Sequence, residues 1–236
     1  MKILLIAGHG AGDPGAIGCG YKEANLTREL VTLIKPLLSD YADVTVYDFD
    51  RKMSNDLARG MRFNFKNYDY VFEVHFNAAG ATAKGTEVLR HLKASNRTEN
   101  ALILQNMTML GFVNRGVKPR SDLIVMNTCF AQSVPYALFE TCFISNEKDM
   151  ALYQEKKKQV AEAVSDGIVK GFGLKEAKKM KFKDCEGHYA EKHINELYEM
   201  GVVNGDGNGN FRPNDKITRA DVAIMVRNAI RAASGK

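Results

Sequence analysis

Apolar residues along this chain fall into two alternating patterns. Short, nearly continuous apolar runs read as strands: Lys2 to Ala7, Val44 to Tyr47, Tyr70 to Phe76, Thr86 to Leu92, Leu123 to Met126 and Tyr136 to Phe143. Between them, apolar residues recur every three or four positions, the spacing of one helix face. The clearest such segment is Glu23 to Leu38, with Leu26, Leu30, Leu33, Ile34 and Leu37 on one side and Pro36 placed to kink or end it. Ser54 is placed to cap a helix through Arg62, and another helix is expected around Glu99 to Gly111. A long helix spans Met150 to Lys170, closed by Gly171 and Gly173. Strands alternating with helices predict an α/β fold over residues 1–173, a mostly parallel or mixed sheet flanked by helices.

The pattern changes after Gly173. Residues 174–181 are rich in Lys and read as a linker. Residues 182–236 read as a small helix–loop–helix domain. Lys183 to Met200 forms a helix with its lead-in, Gly201 to Asn214 a Gly/Asn/Asp loop, and Thr218 caps a last helix through Ala232. A unit this short lies near the lower limit for independent stability.

The length of 236 residues fits one sizeable domain with such an appendage. Hydrophobic residues at 45% and charged residues at 26% exclude a disordered chain. The net charge of +5 favours anionic partners. Its densest piece, Lys156 to Lys158, falls on the long helix and reads as a solvated face, so nucleic acid is not expected. Cys19, Cys129, Cys142 and Cys185 form no C-x-x-C pair, so a reducing cytoplasm is the expected folding compartment. No run reaches the length of a membrane span, and no membrane partner is expected. The first apolar run is too short for a signal peptide, so synthesis in the cytoplasm without an export signal is expected.

The five histidines can be weighed singly. His9 follows the first strand in Gly8-His9-Gly10-Ala11-Gly12-Asp13-Pro14-Gly15, where open α/β sheets place their ligands. His75 lies near the end of the Tyr70 strand, with Glu73 and Asn77 on its face. Glu23 opens the first long helix after a loop able to fold it back toward His9. Two His and one Glu suit a catalytic metal site. Equally, a strand-end His can be a hydrogen-bonded polar residue, and a first-turn Glu can answer the helix dipole. The spacing Gly10-x-Gly12-x-x-Gly15 also matches a dinucleotide fingerprint, but the helix begins too late to meet a pyrophosphate. No G-x-S-x-G elbow is present, and Cys142 reads as buried packing. Glu140 ends an apolar run, which is costly for a carboxylate unless it is paired or faces a cleft. It is a candidate general base as well as a salt-bridge partner.

Four ordered segments resemble the zinc N-acetylmuramoyl-L-alanine amidases of the amidase-3 family. They are Ala7 to Gly10 with Asp13 to Ala16, then Glu23, then Val74 to Ala78, then Pro135 to Glu140 with Phe143 to Asn146. The resemblance implies that His9, Glu23 and His75 bind zinc (Zn2+), that Glu140 is the catalytic carboxylate, and that Asn77 contacts substrate. It implies metal-assisted cleavage of peptidoglycan between the lactyl group of N-acetylmuramic acid and L-alanine. Glu73 stands where the family commonly has a small or hydroxyl residue, so it is either a partner of a ligand or a competing base. Cys19, also unusual for the family, is a potential extra soft ligand.

The C-terminal domain resembles one S-layer homology repeat. The residues that carry this are Phe182-x-Asp184, Gly187 to Ala190, Ile194-x-x-Leu197, Gly201 to Gly205, Phe211 to Asn214 and Ile217 to Asp221. It implies anchoring to an anionic secondary cell-wall polymer, with Arg219 and Tyr189 as contacts; Tyr189 replaces the usual Trp and Asp221 the usual Glu. The resemblance implies that such repeats normally work in threes, so a single unit either binds weakly or assembles several copies as a homo-oligomer. His188, His193 and Cys185 fit no standard metal spacing. Asp206-x-Asn208-x-Asn210 is a turn rather than a calcium loop, since Ile217 holds the twelfth position. The expected protein is a phage endolysin that acts on a Gram-positive wall after release. The alternatives are a host autolysin or sporulation amidase, a non-catalytic wall-binding protein, and a nucleotide-dependent oxidoreductase.

Overall fold

In the computed structural model, which describes residues 1–176 and 182–233, β1 (Lys2–Ala7) leads through a hairpin of β2 (Ile17–Gly18) and β3 (Tyr21–Lys22) into α1 (Glu23–Ser39). Next come β4 (Asp43–Val46), α2 (Met53–Ala58), β5 (Tyr70–Asn77), β6 (Thr86–His91) and α3 (Thr98–Met109). They are followed by β7 (Asn114–Arg120), α4 (Ile124–Ala131), β8 (Tyr136–Phe143) and α5 (Glu147–Phe172). Six strands form one sheet in the order β4-β1-β5-β8-β6-β7. β4, β1, β5 and β8 are parallel; β6 is antiparallel to β8, and β7 is parallel to β6. The expected α/β class with a mostly parallel, mixed sheet is the class observed.

Strand alternation builds a core on each face. Ile3 and Leu5 of β1 and Tyr70, Phe72, Val74 and Phe76 of β5 face α1, α3 and α5, against residues such as Leu30, Ile34, Ile103, Met107, Val160 and Val164. Leu4, Ile6 and Val71 face the other way, against Met53, Val125, Met126 and Cys129 of α2 and α4. On that second face β5 begins apolar at Val71 and continues with Glu73, His75 and Asn77. The strand therefore carries polar side chains only toward its carboxyl end.

Several local expectations are corrected. Leu123 to Met126 is not a strand: Leu123 is the extended residue before α4. Val125, Met126 and Cys129 are buried at helical spacing, and four apolar residues alone do not separate the two periods. Ser54 does not cap α2. The helix starts two residues earlier, at the buried Met53 with Lys52 before it, and ends at Ala58 ahead of Gly60 (φ 92°) instead of at Arg62. Pro36 does not end α1, which continues to Ser39 with Ile34 and Leu38 fully buried on either side of it. Gly171 lies inside α5, where a Cβ would come 2.4 Å from Cα of Glu99; Gly173, at φ 63°, closes the helix.

The chain divides into two compact units, Met1–Ala177 and Lys178–Lys236. Of the expected linker 174–181, residues 177–181 lie outside the described residues. In the second unit, Lys183 to Met200 is a helix with its lead-in, as expected: a 3-10 turn (Lys183–Cys185) and then α6 (Glu191–Glu199). Phe182, Cys185 and Ile194 form its core, with Tyr198 and Phe211 against them. Asp184 accepts bonds from the amides of Phe211 (2.9 Å) and Arg212 (2.6 Å), which ties the loop down. Asp206 accepts from the amides of Asn208 and Asn210, an Asx turn. Thr218 caps α7 (Arg219–Ala233), accepting from the Asp221 amide at 3.1 Å. All four cysteines are free thiols, and no helix among the described residues is long and apolar enough to cross a membrane.

Candidate metal centre

The carboxyl end of β1 turns sharply through His9 (φ 64°), Gly10 (φ 95°), Ala11 (φ 51°) and Gly12 (φ 87°). Arg28 of α1 clamps this turn, donating to the carbonyls of His9 (3.1 Å), Gly8 (3.3 Å) and Phe49 (2.7 Å). Gly10 is required there, since a Cβ would lie 1.7 Å from Arg28 Nη2. Glu23 is delivered as the first residue of α1. Its amide donates to Ala16 O at 2.9 Å, and the Ala24 amide to Pro14 O at 3.0 Å. The glycine-rich loop thus folds back onto His9.

Glu23 sits between the two histidines. Its Oε2 lies 3.1 Å from His9 Nε2, and its Oε1 2.9 Å from His75 Nδ1. The amides of Ala16 (2.9 Å) and Phe76 (3.0 Å) donate to the same two oxygens. One ligand atom from each of His9, Glu23 and His75 lies within 4.8 Å of the others. The outer nitrogens are also engaged. His9 Nδ1 lies 2.8 Å from Asp13 Oδ2, and Asp13 is paired with Lys52. His75 Nε2 lies 3.1 Å from Glu73 Oε1, and the Tyr136 hydroxyl donates to Glu73 Oε2 at 2.5 Å.

Glu140 stands opposite His75 in the β5–β8 register, and its Oε2 is buried without a hydrogen-bond partner. Asn77 donates to Glu87 Oε1 at 2.8 Å and accepts from the Ala78 amide at 2.8 Å; Arg115 holds Glu87 at 2.9 Å. Cys19 is exposed and lies outside the three-residue cluster. Tyr189 and Arg219 are exposed on the second unit. Sequence reasoning missed Lys52, Tyr136, Glu87 and Arg115, whose partners lie far off in sequence and leave no local pattern. Asp13, four residues after His9, was visible but not linked to it.

The electrostatics fit a cation site. Burial pushes Glu23 up, but bonds from His75, His9 and the Phe76 amide outweigh it and hold the carboxyl well below its usual range. Lys52, then His9, holds Asp13 far down as well. Burial disfavours charge on His75, yet Glu23 and Glu73 together raise it well above an ordinary histidine. Glu140 goes the other way: burial pushes its carboxyl up to about 7. Two imidazoles and a carboxylate converge, and each imidazole is backed by a second carboxylate. This is the donor set and support of a divalent metal site. Glu140 Oε2 lies beside this cluster, buried and without a hydrogen-bond partner.

Comparison with known proteins accords with this geometry. Residues 3–170 match the N-acetylmuramoyl-L-alanine amidase family, and residues 181–223 match the S-layer homology domain. A Staphylococcus aureus protein named as an autolysin is 32% identical over 92% of this chain and 51% of its own length. The endolysin of Bacillus phage SPP1 is 28% identical over 73% of this chain and 66% of its own. The chain therefore spans about half the length of the first relative and about two thirds of the second. The solved catalytic domain of an endolysin targeting Clostridia difficile shares the fold, with TM-score 0.60 and 22% identity over 72% of this chain and 97% of that one.

Proposed function

Because this chain belongs to the N-acetylmuramoyl-L-alanine amidase family, we propose that it is a zinc-dependent peptidoglycan amidase. It cuts between the lactyl carbonyl of N-acetylmuramic acid and the nitrogen of L-alanine. The observation that carries this is the convergence of His9, Glu23 and His75 within 4.8 Å beside a buried, unpartnered Glu140 oxygen.

His9, Glu23 and His75 would hold the metal, with His9 Nε2 and His75 Nδ1 facing the Glu23 carboxylate. Zinc, when bound, supplies a Lewis acid that polarises the amide carbonyl and makes a water more acidic. Glu140 takes a proton from the attacking water as its oxygen bonds to the carbonyl carbon. The carbonyl–nitrogen bond then breaks, and Glu140 returns the proton to the leaving nitrogen of L-alanine. A carboxyl poised near 7 suits both transfers. Asn77, fixed by Glu87 and the Ala78 amide, contacts substrate on the same face.

The second unit anchors the enzyme to an anionic secondary wall polymer through Arg219 and Tyr189. The guanidinium fork suits planar acidic groups, and Tyr189 is 93% exposed. No residue of α7 is buried, and its exposed Val222, Ile224 and Val226 support self-association through this unit. The setting is that of a phage endolysin, supported by the likeness to the phage SPP1 enzyme. The likeness to the staphylococcal autolysin makes host wall turnover the second reading. The test is metal-resolved wall digestion. Chelation abolishes release of amino groups from purified walls, zinc restores it, and His9→Ala or His75→Ala lowers bound zinc below one per chain. Full activity in excess chelator overturns the proposal.

A further inference from the structure

We infer that Glu73 and Tyr136 form a positioning relay that fixes the ring of His75 for the metal, and that Glu73 takes no part in the proton transfers. The inference rests on the zinc reading above and concerns how this chain builds that site.

The two histidine ligands are backed differently. His9 is held by Asp13 from its own loop, four residues on, and Asp13 is paired with Lys52. His75 sits on β5, with no acidic residue of a following loop to hold its outer nitrogen. Its support comes from Glu73, two residues earlier on the same face, at 3.1 Å from Nε2. Glu73 accepts at its other oxygen from the Tyr136 hydroxyl, at 2.5 Å, from the start of the adjoining β8. Both Glu73 oxygens are thereby committed, and Glu73 is 6% exposed.

This pattern decides between the two roles open to Glu73. A base needs a carboxylate oxygen that can turn to meet the attacking water, and each Glu73 oxygen is already held by a partner in a buried position. Glu140 has an oxygen that is buried and unpartnered. Glu73 also addresses His75 from the Nε2 side, while Nδ1 faces Glu23. A carboxylate accepting from Nε2–H leaves the Nδ1 lone pair for the metal and stops rotation of the ring. Tyr136 in turn stops rotation of the carboxylate. The register supplies this phenol: Tyr136 pairs with Val71, two pairs below Glu73 and four below His75, on the face they share.

The experiment measures zinc affinity of the full chain by competition with a chromophoric chelator, with the visible spectrum of the cobalt(II)-substituted protein alongside. Glu73→Ala is expected to weaken zinc binding roughly 10- to 100-fold. Glu73→Gln keeps an acceptor for Nε2–H and is expected to recover most of that loss and the wild-type cobalt spectrum. Tyr136→Phe removes one hydroxyl and is expected to weaken zinc about 3- to 10-fold. Glu140→Gln, which removes no ligand atom and no support of a ligand, is expected to bind zinc within a few-fold of wild type. If Glu73→Ala or Glu73→Gln binds zinc with wild-type affinity while wall cleavage is lost, Glu73 acts on the reacting atoms and the relay is wrong. If Tyr136→Phe leaves both affinity and cobalt spectrum untouched, the relay as stated is wrong. If the wild-type chain itself binds no zinc, the functional reading has failed, a result distinct from either of these.

Discussion

Glu140→Gln separates the chemical duty of this carboxylate from its effect on stability. The folded chain raises the Glu140 carboxyl from 4.5 to about 7, with burial as the leading cause. Between those values the folded chain holds a proton that the unfolded chain has released, so this group lowers stability as pH rises across the window. At about 1.4 kcal/mol per pH unit, the gap amounts to about 3 kcal/mol above pH 7. Glutamine has nearly the same shape and no charge to desolvate. The variant therefore matches the wild type below pH 4.5 and exceeds it by about 3 kcal/mol at pH 8.5. In a thermal scan that is about 6–12 °C for a chain of this size. Chelator-treated wild type and variant are compared by urea and thermal denaturation from pH 4 to 8.5. His9, His75 and Glu23 titrate in both chains, and the difference reads Glu140 together with its coupling to them. The same substitution abolishes wall cleavage, since Gln cannot take a proton. A stability difference that stays flat with pH refutes the raised carboxyl, and retained cleavage refutes its role.

Other consequences can be checked separately. In pH profiles of the zinc enzyme, kcat/KM rises with pH as Glu140 ionises, with a midpoint at or below 7 because the bound cation favours the carboxylate. Asp13→Ala frees the outer nitrogen of His9 and is expected to weaken zinc about tenfold by chelator competition; unchanged affinity denies Asp13 that role. Gly171→Ala forces a methyl against the Glu99 backbone, and is expected to remove about 1–3 kcal/mol in urea denaturation without changing metal content. Arg219→Ala combined with Tyr189→Ala is expected to weaken cosedimentation with purified walls at least tenfold while hydrolysis of soluble muropeptides persists; intact cosedimentation rules these contacts out.

Much of the first unit was legible because its strands are buried on both faces. β1, β5 and β8 are apolar enough to announce themselves, and the buried face of α1 repeats through Leu26, Leu30, Ile34 and Leu38. β7 escaped notice because Asn114–Arg120 is an exposed edge strand with Pro119 inside it, which only an edge tolerates. Leu123 to Met126 misled because a short apolar run reads alike in a strand and in a buried helix turn. The candidate ligands were found by motif order rather than by spacing. His9, Glu23 and His75 are far apart in sequence, and only the folding back of the Gly-rich loop brings them together. The partners that decide the role of Glu73 were not legible at all. Tyr136 meets it only through the register of β5 on β8, and no periodicity in one strand encodes its offset from another.

The most direct test of the proposed reaction is mass analysis of purified peptidoglycan digested by the zinc-loaded chain, with a chelated sample and Glu140→Gln as controls. Cleavage at the proposed bond releases stem peptides with a free L-alanine amino terminus and leaves glycan strands whose N-acetylmuramic acid carries a free lactyl carboxyl. Both products are expected from the loaded wild type alone. New reducing ends on the glycan, or peptides cut within the stem with L-alanine still attached to the sugar, would contradict the assignment of this site to the amide bond.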